Sequence, residues 1–215
     1  MIGIQLDGDA GAVAVWRESG PEVIGRGGSI ADLVALAKGR DENCSAGVVA
    51  VPAWYNDEER TQIFEQTRAA GVSTVRLMNE PAAATLAYGA SQAGLPETSM
   101  VLNLTPSGAF DVTLIGAEEG QVEVLASNGI ADLKEYAPDQ LFAAIEPAVN
   151  RAVSDARLAN HLLDVIILTG VVGVLRSVAS QIEVCWGRAP VEPPFPETAV
   201  ACGAAVYGGF LETRQ

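Results

Sequence analysis

Two apolar runs of one kind, GVVAVP at 47–52 and DVIILTG at 164–170, stand at matching places in the two halves of the chain. Each is continuous, rich in β-branched residues and without polar alternation, as a strand buried on both faces of a parallel sheet must be. In the first half, residues 2–6 and 12–16 read as strands around the acidic turn Asp7-Gly8-Asp9, and a third strand near 22–25 follows Ser19-Gly20-Pro21. Ser29 caps a helix whose Ile30, Leu33, Val34 and Ala37 share one face. Beyond the buried run, Asn56 and Glu59 form a variant capping box for a helix that Gly71 closes. A strand at 74–78 then leads to Pro81 and a helix of small residues at 82–88.

The second half repeats the order. Strands at 100–104 and 110–115 flank the turn Thr105-Pro106-Ser107-Gly108, and QVEVLA at 121–126 follows. A helix over 138–156 carries Leu141, Ile145, Ala148, Val149 and Ala152 on one face, with Pro147 inside it predicting a kink. After the second buried run come a helix through Leu175, Val178 and Ile182 ending near Gly187, and a last helix at 197–211. Three strands, a helix, a strand, a helix, a strand and a helix, twice over, is the duplicated ribonuclease-H-like plan of the α/β class, two lobes about a cleft. The expected lobes are 1–97 and 98–215, with 90–99 as linker and the last helix as a hinge belonging to the second lobe.

Composition narrows the partners. Hydrophobic residues make up 49% and charged residues 19%, which excludes a disordered chain and leaves apolar surface for a partner to cover. Thirteen basic against 27 acidic residues give a net charge of −14, which repels a phosphate backbone, so nucleic acid is excluded as a partner. Cys44, Cys185 and Cys202 lack metal or redox spacing and read as buried thiols, and one histidine, His161, leaves little for His-based catalysis or zinc. No signal peptide precedes Ile2 and no apolar run is long enough to span a membrane, so a cytoplasmic location is expected.

The stretch VPAWYNDEERTQIFEQTRAAGVSTVRLMNEPAAATLAYG at 51–89 resembles the seventy-kilodalton heat-shock chaperone family, from a core strand to the interlobe helix. So do, in the family's order, DVTLIGAEEGQVEVLASNG at 111–129, IEPAVNRAV at 145–153, DVIILTG and PETAVACGAAVYGG at 196–209, with MIGIQL as a weaker start. The resemblance implies the actin-like ATPase fold reduced to its two inner lobes. Only one helix fits between Gly28 and Gly47, and a short loop between Asn128 and Pro138, where the family inserts its outer subdomains. The chain also ends soon after its last helix, so the peptide-binding domain is expected to be absent.

Hydrolysis of ATP needs backbone donors around the phosphates and oxygen ligands for magnesium. The resemblance places a vestigial nucleotide cleft at Gln5, Asp7, Gly8, Asp9, Glu80, Asn103, Gly170 and Gly173. Gln5 and Asn103 stand where the family has carboxylates. Asp7 and Asp9 enter a turn where phosphate would sit, as a solvated acidic turn or as holders of a cation. Pro106 lacks an N–H in the second phosphate turn, Val171 replaces a glycine, and Val174 falls near a residue that is usually basic. Glu80 and Pro52 match positions that couple nucleotide to lobe motion, or serve only as helix cap and strand end. Gly203, Gly208 and Gly209 fit close helix approach at the hinge.

The reading is a pseudo-ATPase: no catalysis, no metal, no cofactor, and a role in interaction or assembly with a heteromeric protein partner. The alternative is a residual chaperone-like ATPase binding ATP or ADP with magnesium weakly, and a third reading is an actin-like filament subunit. Trp186, beside the proline-rich PVEPPFP, and Phe195 are the expected interface anchors, whereas Trp54 is expected in the core.

Overall fold

The computed structural model describes residues 1–7, 10–40, 44–91, 95–105, 108–118, 121–130, 133, 136–137, 139–158 and 162–213. They form two compact units, one of Met1–Ala90 with Thr198–Gln215 and one of Ser91–Glu197.

In the first unit the strands β1 (Ile2–Asp7), β2 (Ala10–Arg17), β3 (Gly20–Gly27), β4 (Ala46–Val51) and β5 (Thr74–Asn79) make one sheet of order β3-β2-β1-β4-β5. β1 pairs antiparallel with β2 and parallel with β4, so GVVAVP lies inside the sheet, and Val48, Val49, Ala50 and Val51 are fully buried. The helices are α1 (Ile30–Arg40), α2 (Asp57–Ala69), α3 (Glu80–Ser91) and, from the other end of the chain, α7 (Ala199–Thr213). The two faces of this sheet are built differently. On one, Ile2, Ile4, Val13 and Val49 pack against Ile30, Leu33 and Val34 of α1, with Ile63 and Phe64 of α2 beside them. On the other, Ala12 and Ala14 meet Ala87 of α3 and Ala199, Ala201 and Ala205 of α7.

Small side chains let backbone approach backbone there. A Cβ on Gly3 would lie 2.2 Å from the Ala205 nitrogen, and one on Gly203 would lie 1.7 Å from the Ala83 carbonyl oxygen. The last helix therefore packs on the first sheet and not within the second lobe, as its sequence position suggested. Its alanine face lies on the surface made by Gly3, Ala12 and Ala14. The expected contact at Gly203 is one between helices, while Gly208 faces Met1 and Gly209 faces Trp16.

The second unit repeats the first sheet strand for strand. β6 (Thr98–Leu104), β7 (Phe110–Glu118), β8 (Gln121–Ile130), β9 (Val165–Gly170) and β10 (Pro190–Val191) run in the order β10-β9-β6-β7-β8. β6 is thus the counterpart of β1, and β9 of β4. Both outer hairpins carry a register shift, at Val13/Ala14 and at Leu114/Ile115. The core of this unit joins Met100, Leu102, Phe110, Val112, Ile166 and Leu168 to the helices α4 (Leu141–Asp155), α5 (Val172–Arg176) and α6 (Ala179–Trp186). α4 is unbroken through Pro147, whereas the single helix expected through Leu175, Val178 and Ile182 is two short ones.

Both tryptophan expectations are reversed. Trp186 is 2% exposed: its ring packs 5.8 Å from that of Phe142, and its Nε1 donates to Asn150 Oδ1 at 3.3 Å. It cannot anchor a partner. Trp54 is 53% exposed, on the loop between β4 and α2. Of the cysteines only Cys202 is buried; Cys185 is exposed and Cys44 half-buried, since α6 turns only Ile182 and Trp186 inward. His161 lies outside the described residues. Among those described, no helix is long and apolar enough to cross a membrane.

Candidate functional site

Parallel sheets with crossover helices leave their binding crevices at the carboxyl ends of the strands. The cleft residues expected from sequence fall there in each unit, in two sets.

In the first unit the strand ends are those of β1, β4 and β5. Gln5 lies between Ala12 and Ala50 in the sheet, so neither of its neighbours across the strands is polar. It is 9% exposed, and its Oε1 accepts the Ala201 N–H of α7 at 3.3 Å. Asp7 closes β1 opposite Ala10, while Gly8 and Asp9 lie outside the described residues. Glu80 opens α3 and is 8% exposed; an acidic residue in a first turn suits the helix dipole.

The loop between β4 and α2 is held from inside. Arg60 donates through Nε to the Tyr55 carbonyl at 3.0 Å and through Nη2 to Asn79 Oδ1 at 2.8 Å. Longer contacts reach the Pro52 and Ala53 carbonyls, each at 3.5 Å. The capping box forms as expected, Asn56 accepting from the Glu59 N–H at 3.0 Å and Glu59 from the Asn56 N–H at 2.8 Å. Burial first, then the charges of Glu80 and Glu59, push the Tyr55 hydroxyl above its usual range. Pro52 and Glu80 thus belong to one braced corner, with Trp54 projecting from it.

In the second unit the strand ends are those of β6 and β9, and here the row is polar across three strands. Asn103 on β6 pairs in register with Thr169 on β9 and Asp111 on β7. Its Nδ2 donates to Asp111 Oδ2 at 2.9 Å, and its Oδ1 accepts from Thr169 Oγ1 at 3.1 Å. Asp111, only 3% exposed, has its carboxyl pushed up to about 6 by burial, against the lowering effect of bonds from Asn103 and Thr113. Sequence reasoning passed over this residue, although it begins one of the matched stretches. An aspartate at an inward position of an apolar strand was the available signal.

Gly170 ends β9 at φ +74°, and a Cβ on it would lie 2.2 Å from the Leu104 carbonyl oxygen and 2.8 Å from Asn103 Oδ1. Only glycine fits this crossing. Gly173, in contrast, has open space where a Cβ would be, and Val171 and Val174 beside it are 38% and 42% exposed. In the turn between β6 and β7 the described amides are already used. Thr105 N–H donates to the Ala109 carbonyl at 2.9 Å, Gly108 N–H to the Thr105 carbonyl at 2.9 Å, and Ala109 N–H to Thr105 Oγ1 at 3.1 Å. Pro106 lies outside the described residues. Of the expected anchors, Phe195 remains exposed, at 75% with φ +54°, on the segment leading into α7.

Comparison with known proteins finds the model of the family described as "Hsp70 protein" matching residues 35–135 and 130–215. The chaperone protein HscA of Edwardsiella ictaluri is 34% identical over 161 residues, 68% of this chain and 26% of that protein. The chaperone protein DnaK of Elusimicrobium minutum is 41% identical over 106 residues, 49% of this chain and 17% of that protein. DnaK of Thermotoga petrophila is 26% identical over 242 aligned positions, which take in 76% of this chain and 40% of that protein. The chain therefore spans well under half the length of the curated relatives it matches. These matches lie in a family of ATPases that take ATP or ADP with magnesium, and they overturn the expectation of a chain without enzymatic role or cofactor. That expectation leaned on changes at Gln5, Asn103 and the phosphate turns, and left out the carboxylate at Asp111.

Proposed function

Because this chain belongs to the Hsp70 family, we propose that it is a chaperone-like ATPase of weak activity that binds ATP or ADP with magnesium. The observation that carries this reading is the polar row Thr169–Asn103–Asp111 at the strand ends of the second unit. It is an oxygen-donor set of the kind a hard cation takes. It also contains a buried carboxyl whose ionisation is short of positive charge, which a cation beside it would relieve. Those residues would hold magnesium, and the open backbone at Gly173 would admit the nucleoside. Magnesium, when bound, supplies neutralisation of the phosphate charge.

Glu80, buried at the head of α3, supplies a fixed negative charge at the strand ends of the first unit. The activity is weak because Thr105, Gly108 and Ala109 spend their N–H groups within their own turn, so the phosphates lose donors there. Calorimetry with ATP and with ADP, each with and without magnesium, and single-turnover hydrolysis with protein in excess test this reading. Binding that requires magnesium, and turnover lowered at least about tenfold by Asp111→Ala or Glu80→Ala, are expected. Folded protein that takes up neither nucleotide at millimolar concentration rejects the reading.

A heteromeric protein partner belongs to the same proposal. Trp54 projects from a loop braced by Arg60, beside the exposed acidic residues Asp57 and Glu58, on a chain of net charge −14. An exposed tryptophan on a rigid loop is the usual kind of anchor, and the negative field steers a basic partner toward it. Three cysteines, none in a disulfide, fit a reducing compartment, and we place the chain in the cytoplasm.

A further inference from the structure

The first turn of a helix leaves N–H groups without intrahelical partners, and the residue at the cap ordinarily accepts one of them through its side chain. In α7 the first intrahelical bond runs from the Cys202 N–H to the Thr198 carbonyl at 3.0 Å, which makes Thr198 the cap and Ala201 the third helical residue. The Ala201 N–H is accepted by Gln5 Oε1 at 3.3 Å, and the Thr198 side chain bonds the Cys202 thiol. An acceptor for the first turn of this helix thus comes from the other end of the sequence.

The surroundings explain why a glutamine does this. Gln5 and Asn103 occupy equivalent places on equivalent strands, β1 and β6. Asn103 is flanked by Asp111 and Thr169 and bonds within its sheet. Gln5 is flanked by Ala12 and Ala50 and leaves its sheet for α7, which the Gly3 contact brings within reach. At 9% exposure a neutral amide accepts this bond without the cost of a buried charge.

We infer that Gln5 is a positioning residue: it caps α7 from a distance and seats the first turn of that helix against the end of β1. α7 begins where the chain returns from the second unit, at Thr198, so this bond holds the point of return to the end of β1. The inference about the cap stands without the proposed nucleotide site.

Hydrogen exchange at the Ala201 amide in the whole, unliganded protein tests the cap, with Gln5→Leu removing the acceptor and Gln5→Glu keeping one. Exchange should quicken about tenfold in Gln5→Leu and return toward the wild-type rate in Gln5→Glu, with circular dichroism unchanged in both. Equal exchange in wild type and Gln5→Leu overturns the inference, as does Gln5→Glu behaving like Gln5→Leu. If Gln5→Leu does not fold, an Ala201 amide in Gln5→Glu and in Gln5→Met that exchanges equally overturns it, and slower exchange in Gln5→Glu supports it. ADP with magnesium is titrated into the wild type separately. Failure there rejects the nucleotide reading and leaves the exchange result to judge the cap.

Discussion

The carboxyl of Asp111 illustrates how one residue can set a pH dependence. Its folded pKa of about 6 lies above the usual carboxylate range, so between about pH 4 and 6 the native state keeps a proton that the unfolded chain has released. The contribution of this group is therefore fully present below about pH 4 and is lost as the pH rises through about 6. A shift of about two units corresponds to about 3 kcal/mol. Asp111→Asn should then be more stable relative to wild type at pH 8 than at pH 4, by an amount approaching that figure, in urea unfolding at each pH. Parallel curves for the two proteins would show that Asp111 does not titrate this way. The tryptophans give a second contrast. Trp186→Ala should cost about 3–5 kcal/mol in the same assay, as large core truncations do, and Trp54→Ala only a few tenths. Sequence could not separate these two, because each stands near prolines or glycines and polar residues. What decides between them is distant: Asn150 and Phe142 of α4 enclose one, and the Arg60 bonds hold the other outward.

Elements whose instructions are local were legible. The capping box of α2 is written in Asn56 and Glu59 alone, and Asn56→Ala should cost about 1 kcal/mol by thermal or urea denaturation. The buried strands β4 and β9 were equally plain, since runs such as GVVAVP tolerate few other environments. The break between α5 and α6 was hidden, because Leu175, Val178 and Ile182 keep one apolar face across both. Periodicity records which side is covered and not whether the backbone bonds continue. The polar row at Asn103 was half legible: its position on β6 came from pattern, whereas its bonds to Thr169 and Asp111 depend on strand register, which no short segment specifies. α4 offers a test at this scale. Pro147 is exposed within it and removes one ladder bond, so Pro147→Ala should raise stability by about 1–3 kcal/mol. A loss of stability would mean that the helix needs its proline.

Over the whole chain, two sheets of one topology differ in how they are covered. The first is clasped closely by glycine and alanine on one face, and the second packs larger side chains against α4, α5 and α6. A net charge of −14 on 215 residues acts on both, and mutual repulsion should ease as salt is added. The midpoint of thermal unfolding is therefore expected to rise between about 0.01 and 0.15 M sodium chloride, with the Debye length shrinking from about 30 to 8 Å. A falling midpoint would point to attractive surface pairs as the stronger influence. The split composition of the first unit, Met1–Ala90 with Thr198–Gln215, also reaches into biosynthesis. On the ribosome its five strands emerge early, yet the helix that covers Gly3, Ala12 and Ala14 is translated only after the whole second unit. The second unit, continuous in sequence, can close while the first still waits with one side of its sheet covered by α3 alone. A nascent chain halted before Thr198 should accordingly hold a folded later half and a protease-sensitive earlier one, reversing the usual order in which the amino-terminal part of a protein matures first.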